Sequence, residues 1–274
     1  MIDTIKRDRG DLLLVDAGGI VGPAYRSDAQ DKAATSFAAM QAMGYDAVNF
    51  GANDYILALQ GDPGQSRPLP VVMTTLKNPS PRMSHVTPYR IEEVAGLTVG
   101  ILGVAPLPTP VWEPGANTHV TETPEQALGP VLDRLADQSD LILLLSLYNA
   151  RDTTAFMKQF PAIDMAVCAG DRTLRISSPI LVDDRPVVQA SPKGELLGQL
   201  TVTLDDAGRV VESANQLIAL GDSIPDDPRI AAIVAAHAQD PGAPTTTSPQ
   251  GQGNMKELSP KEFFEKWGAS EGDS

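Results

Sequence analysis

MGYDAVNFGANDY, residues 43–55, holds the pattern on which the fold turns. A helix-stopping Gly44 is followed by the short apolar run Ala47–Phe50. The run ends in Gly-Ala-Asn-Asp, Gly51 to Asp54. A buried parallel strand that runs straight into a polar, glycine-bearing loop is how α/β proteins place chemistry at a sheet's C-terminal edge. Asn53 and Asp54 stand in that loop. Both side chains can bind a cation or hold the loop by bonding to its backbone as Asx residues do, and Asp54 can also move a proton.

The same pattern occurs upstream. DLLLVDAGG (Asp11–Gly19) is a continuous apolar run closed by Asp16 and two glycines. Such a run predicts a strand buried on both faces. Between the two lies a helix over 28–43, with Asp28 as its cap and Ala33, Phe37 and Met40 on one face. Gly18-Gly19 has no Lys, Ser or Thr directly after it, so it reads as a turn rather than a phosphate cradle.

Downstream, PVVMT (70–74), LILLLSL (141–147) and DMAVCAG (164–170) read as further strands. Helices are expected behind the capping box Thr123-Pro124-Glu125-Gln126 and over 151–160. Antiparallel hairpins interleave with these units. PYRIEEVAGLTVGILGV turns at Ala95-Gly96, ILVDDRPVVQA at Asp183-Asp184, and QLTVTLDDAGRVV at Asp206-Gly208. Two packed sheets with helices outside satisfy both patterns, which makes the chain an α/β protein.

Composition narrows the partners. Apolar residues make up 42% of 274, a globular value, and the net charge of −14 repels phosphate backbones and anionic lipid. Nucleic acid is therefore not expected as a partner. The chain has no apolar run of the roughly 18 residues that a membrane span requires. A single cysteine, Cys168, allows no intrachain disulfide, and its apolar strand predicts a buried, inert thiol. The N-terminus lacks the apolar region of a signal peptide.

After residue 220 the texture changes. DPRIAAIVAAHAQ (227–239) reads as an amphipathic helix packing on the main domain. The stretch 241–254, PGAPTTTSPQGQGN, reads as a flexible linker. Within 255–274, SPKEFFEKW carries a capping box (Ser259, Glu262) and an aromatic face of Phe263, Phe264 and Trp267. A short helix of this kind needs a surface, either on its own domain or on a partner. The organisation expected is thus a domain over 1–220, a helix over 221–240, a linker, and a terminal amphipathic helix.

The order of these segments resembles the metallophosphoesterase domain of the 5′-nucleotidase family, the calcineurin-like fold. DLLLVDAGG is similar to that family's strand ending in Asp-Ala-Gly-Asp. MGYDAVNFGANDY is similar to the segment ending in Gly-Asn-His-Glu. LILLLSLYNA is similar to the strand ending in Ser-His, and MAVCAGDRTL to the one ending in Gly-His-Thr-His. The resemblance implies a four-layer α/β/β/α sandwich, with the family's first strand missing from this chain. It also implies a periplasmic or extracellular setting.

For catalysis it would require two divalent metal ions that activate water and clamp a phosphoryl group. Here the matched positions have changed. Gly19 stands at the bridging aspartate, Ala52 at the asparagine ligand and Asn53 at the neighbouring histidine. Leu147 stands at the Ser-His histidine, and Asp171 and Thr173 at the Gly-His-Thr-His pair. Glycine, alanine and leucine side chains offer no lone pair to a metal. Asp16, Asn53, Asp54 and Asp171 are the oxygen donors left for a weaker site. The three histidines, His85, His119 and His237, lie away from every predicted strand end.

The resemblance without its ligands implies a non-catalytic relative with no metal cofactor, acting as a binding or structural subunit beside other protein subunits. Two alternatives stay open. One is a divergent phosphoesterase or nucleotidase-like hydrolase with relocated ligands. The other is a module that binds a small molecule or nucleotide in the emptied pocket.

Overall fold

All six residues of the strand Leu141–Ser146 are buried, and alternate ones belong to different cores. Leu141, Leu143 and Leu145 face one apolar cluster, Ile142 and Leu144 another. A strand with period two and no polar face must lie between two layers. The computed structural model describes residues 1–9, 11–61, 68–107, 121–171, 175–221 and 223–238. The linker and terminal helix expected over 241–254 and 255–274, with Phe263, Phe264 and Trp267, lie outside them, as does Thr173.

The elements run α1 (Ile2–Arg9), β1 (Val15–Asp16), α2 (Ala29–Met43), β2 (Ala47–Asn49), α3 (Ala52–Gln60), β3 (Val71–Val72), β4 (Tyr89–Val94) and β5 (Leu97–Val104). They continue with α4 (Pro124–Leu135), β6 (Leu141–Ser146), α5 (Ala150–Gln159), β7 (Met165–Cys168), β8 (Ile180–Val182) and β9 (Arg185–Val188). β10 (Leu196–Leu204), β11 (Val210–Ala219) and α6 (Pro228–Ala238) close the series.

Strands β1-β2-β3 form one parallel sheet, with Val15 opposite Ala47 and Val48 opposite Val71. A second sheet has the order β4-β5-β6-β7-β9-β8. Its inner strands are parallel, and β4 and β8 are antiparallel at its edges. β10 and β11 make a separate two-stranded ribbon.

Three cores separate four layers. Ala33, Phe37 and Met40 of α2 and Tyr55 and Leu57 of α3 pack on Val48 and Val71. Ala17, Ala47 and Val72 of the small sheet face Val99, Ile101 and Leu143 of the large one, with ribbon residues Leu200 and Val202 against them. On the far side, Leu128, Val131, Leu132 and Leu135 of α4 and Phe156 and Met157 of α5 cover Leu102, Leu144 and Ala166. Each such buried aliphatic side chain contributes on the order of 1.5–3 kcal/mol. This is the α/β/β/α sandwich that the sequence predicts.

Turn chemistry sets the hairpins. Ala95-Gly96 and Asp183-Asp184 all take positive φ, the conformation of tight two-residue hairpin turns. Gly44 ends α2 in the left-handed conformation, φ 69°.

Three local expectations change. Asp28 makes no side-chain cap on α2; its carboxylate pairs with Arg26 and Lys32 instead. β1 is not buried on both faces. It ends the three-stranded sheet, and Leu13 and Val15 are only half-buried, because an edge strand is covered on fewer sides. The segment after Gly51 is the helix α3 and not a loop.

Candidate functional site

The C-terminal ends of the strands of both sheets meet at one end of the sandwich, and a buried amide joins them. Asn49, the last residue of β2, has no exposed surface. Its Nδ2 donates to the carbonyl oxygens of Ala17 at 3.0 Å and Val104 at 2.9 Å, which ties β1 and β2 to β5 in the other sheet. Nearby, the Thr74 N–H donates to the Gly103 carbonyl at 2.7 Å, and the Gly103 N–H to Thr74 Oγ1 at 3.0 Å. Sequence reasoning passed over Asn49. The signal was a lone amide between Val48 and Phe50 in an otherwise apolar strand, since buried polar groups must find partners.

Asn53 and Asp54 sit in the first turn of α3. Asp54 is 1% exposed. Its Oδ2 accepts from the N–H groups of Gly51 at 2.8 Å and Gly19 at 2.9 Å, and its Oδ1 from Val21 at 2.9 Å. The bond to Gly51 caps the helix, and the other two fasten the β1 loop to it. Burial pushes the Asp54 carboxyl above the usual carboxylate range, and these N–H donors pull against that push. Asn53 Oδ1 accepts from the Ala24 N–H at 3.2 Å. Ala52 opens the helix half-buried beside them.

Asp16, at the end of β1, accepts the Gly18 N–H on Oδ1 at 2.8 Å, an Asx turn. Burial raises its carboxyl to about 6, against the pull of that bond and with a smaller push from Asp54. A raised folded-state value means that the folded protein holds the proton more tightly than the unfolded chain. The stability this gives is complete below pH 3.8 and is lost as pH rises through about 6. Between those values Asp16 is expected to withdraw up to about 3 kcal/mol. Urea midpoints at pH 4 and pH 7 check this: Asp16→Asn should flatten the fall relative to the unsubstituted protein. An equal fall in both would refute it.

Leu147 follows β6 and sits where the first two loops come together. A Cβ placed on Gly51 would lie 2.5 Å from Leu147 Cδ2, and one on Gly19 would lie 3.1 Å from its Cδ1. The leucine therefore fills the space that two glycines leave open. Beyond it the β6 loop is braced by Ser146 Oγ against Thr153 Oγ1 at 2.8 Å, and by Asn149, whose side chain caps α5 through the Asp152 N–H.

Asp171 closes the β7 loop. Its Oδ2 accepts from the Ala150 N–H at the start of α5 at 3.2 Å, and its carbonyl from Gln189 Nε2 at 2.8 Å. Cys168 is buried in β7. Its thiol is pushed up to about 12, chiefly by burial and further by Asp171, so it holds its proton at neutral pH.

No protein-family model matches the chain. Curated proteins do. It is 30% identical over 260 residues to the 5′-nucleotidase of Bos taurus and 28% identical over 260 residues to that of Homo sapiens. Each match covers 85% of this chain and 45% of the relative. The crystal structure of a 5′-nucleotidase precursor from Thermus thermophilus has the same fold, with a TM-score of 0.71 at 22% identity, over 87% of this chain and 51% of that one. This is a 5′-nucleotidase-type metallophosphoesterase domain. The chain spans less than half the length of the curated relatives it matches.

A two-metal centre does not fit the described residues of this 5′-nucleotidase-type domain. Among the described residues no three His, Cys, Asp or Glu side chains are grouped to hold a metal ion. The oxygens of Asp54 and one each of Asp16, Asn53 and Asp171 are taken up by backbone N–H groups. A metal would have to compete with those bonds and displace an aliphatic side chain. His85 is half-buried, and burial holds its imidazole below the ordinary range. It lies on the segment between β3 and β4. His119 and the side chain of His237 lie outside the described residues.

Proposed function

We propose that this domain is non-catalytic and serves as a binding or structural subunit of a protein assembly. The observation that carries the reading is Leu147, an apolar side chain packed onto Gly19 and Gly51 where the loops of the two sheets converge. Phosphoryl chemistry of this fold's kind depends on cations and lone pairs at that point, and a leucine supplies neither. A scaffold without its site is a fold without the matching activity.

The acidic surface supports protein partners over nucleic acid. Among the described residues no helix is long and apolar enough to cross a membrane. The likeness to 5′-nucleotidases supports a periplasmic or extracellular setting.

The test is metal content and hydrolysis together. The purified protein is incubated with Mn²⁺, Mg²⁺ and Zn²⁺, dialysed, and examined by elemental mass spectrometry. It is then assayed on bis(p-nitrophenyl) phosphate and on AMP. Substoichiometric metal and no chelator-sensitive turnover are expected. One or two tightly held ions per chain, with turnover abolished by chelator, would replace this reading by a hydrolase with relocated ligands.

A further inference from the structure

The layer facing the six-stranded sheet is broken. β1 ends the three-stranded sheet and the β10–β11 ribbon stands apart from it, yet both pack on the same central core. β2 and β3 lie against β5 and β6, and β11 lies against β9. β7 runs between β6 and β9. Its Val167 and Ala169 face this core and are only half-buried, whereas Leu145, opposite Val167 on β6, is fully buried. Leu13 and Val15 of β1 and Leu200 and Val202 of the ribbon are likewise half-buried on it. An apolar trough thus runs between β1 and the ribbon, with β7 as its floor.

The wall made by β1 is a strand edge. The Leu14 carbonyl accepts from the Asp46 N–H, and the Leu14 N–H donates to the Asp46 carboxylate. Main-chain groups alternate along a strand, so those of Leu13 and Val15 point away from β2, toward the trough. No described strand pairs with them. Main-chain groups beside an apolar core need partners, and another extended chain satisfies a row of them. Leu12–Val15 carries no charge or proline of the kind that keeps an edge from pairing. Only β7 lies beneath the break, so the trough is one strand wide.

Alternate side chains of an added strand would meet Val167 and Ala169, which calls for apolar residues there. Asp16 and Asp54 stand at the C-terminal end of the β1 edge, and the Asp54 charge pushes on Asp16. Among the described residues neither is in an ion pair with Lys or Arg. Those carboxylates and the net charge of −14 favour a basic group at that end. The chain beyond α6 has no stretch with apolar residues at three alternate positions, so it holds no strand of this kind.

We propose that the trough between β1 and the ribbon takes up an extended segment of a partner protein as an added strand, apolar at alternate positions and basic at the end that reaches Asp16. The proposal rests on the reading of this domain as a binding subunit and names the surface and the class of partner.

The probe is a short peptide that alternates valine and threonine and ends in Lys-Arg. Its control carries proline at the centre. Amide hydrogen exchange is followed by NMR. At millimolar peptide the Val15 amide should exchange at least tenfold more slowly, together with amides along one edge of the ribbon, and the control should change neither. Val15→Pro should abolish this protection and keep the cooperative unfolding transition, because an edge strand tolerates proline where the N–H faces outward. Asp16→Asn should weaken binding several-fold. The same peptide fused ahead of Met1 through a flexible linker removes weak affinity as an explanation, since linkage supplies the concentration. An unprotected Val15 in that fusion overturns the proposal. So does protection that survives Val15→Pro or falls only on β4 or β8. A Val15 amide already protected in the monomer would put the chain's own residues in the trough, and one protected only on dimerisation would put a second copy there; either refutes the partner strand. Chelator-sensitive turnover would refute the non-catalytic reading and leave the exchange result intact, so the two failures are distinguishable.

Discussion

Asp54→Ala should lower folding stability by about 3 kcal/mol, the loss expected when one buried acceptor leaves one buried and two part-buried donors unpaired. The N–H groups of Gly19, Val21 and Gly51 all bond to this carboxylate, which is 1% exposed. A buried donor left without a partner costs roughly 1–3 kcal/mol. The three losses do not add in full, because the loop after β1 can peel back and bond to water. Asn53→Ala removes a single 3.2 Å bond to Ala24 and should cost only about 1 kcal/mol. Asp54→Asn is the sharper test. It keeps the shape and one oxygen, but turns an NH₂ toward backbone donors, so it should recover no more than half of the alanine loss. Urea denaturation of the three variants, with unchanged m-values, gives the numbers. An Asp54→Ala protein within about 1 kcal/mol of the parent would mean that the loop is not held in this way. The same bonds bear on function, since a carboxylate occupied by three main-chain donors is poorly placed to serve as a base or a metal ligand.

The parts of the fold legible in the sequence are those whose cause is local. The run Leu141–Leu147 is short and reads as a buried strand, and alternate residues of Leu141–Leu145 do divide between two cores. Asp183-Asp184 marked a turn because Asp tolerates positive φ, and both residues adopt it. Features that escaped were non-local or ambiguous in period. α3 is nine residues long and starts inside the segment that marks the site, so too few turns were available to set a period of 3.6 against a loop. β1 looked central because Leu12–Val15 is wholly apolar, but an apolar run says nothing about how many neighbours the sheet supplies. The site was legible as a set of positions and not as a set of contacts. Which residues stand at the strand ends could be read in advance. That Leu147 rests on Gly19 and Gly51, or that Asn49 joins two sheets, depends on segments far apart in the chain.

Gly103→Ala should be the other severe lesion, at about 3 kcal/mol or more. A Cβ on Gly103 would fall on the carbonyl oxygen of Val72 in the opposite sheet and would lie 2.7 Å from Asn49 Oδ1. Neither neighbour is free to yield. The Val72 oxygen is main chain, and the Asn49 amide is pinned by its bonds to Ala17 and Val104. Parting the sheets to make room would stretch both Thr74–Gly103 bonds. Gly129→Ala is the control. It lies inside α4 with nothing beyond its chain neighbours within 4 Å of its would-be Cβ, and the gain in helix propensity is offset by Pro130, whose ring crowds a Cβ on the preceding helical residue, so alanine there should change stability by no more than about 1 kcal/mol. Near-UV circular dichroism and urea midpoints separate the two. The comparison bears on function as well as stability. If Gly103→Ala were tolerated, the sheets could move apart at the end where the loops converge, and Leu147 would be a removable plug over a site that opens. If it is not, main chain joins the sheets at that end, and the leucine stays fixed over Gly19 and Gly51.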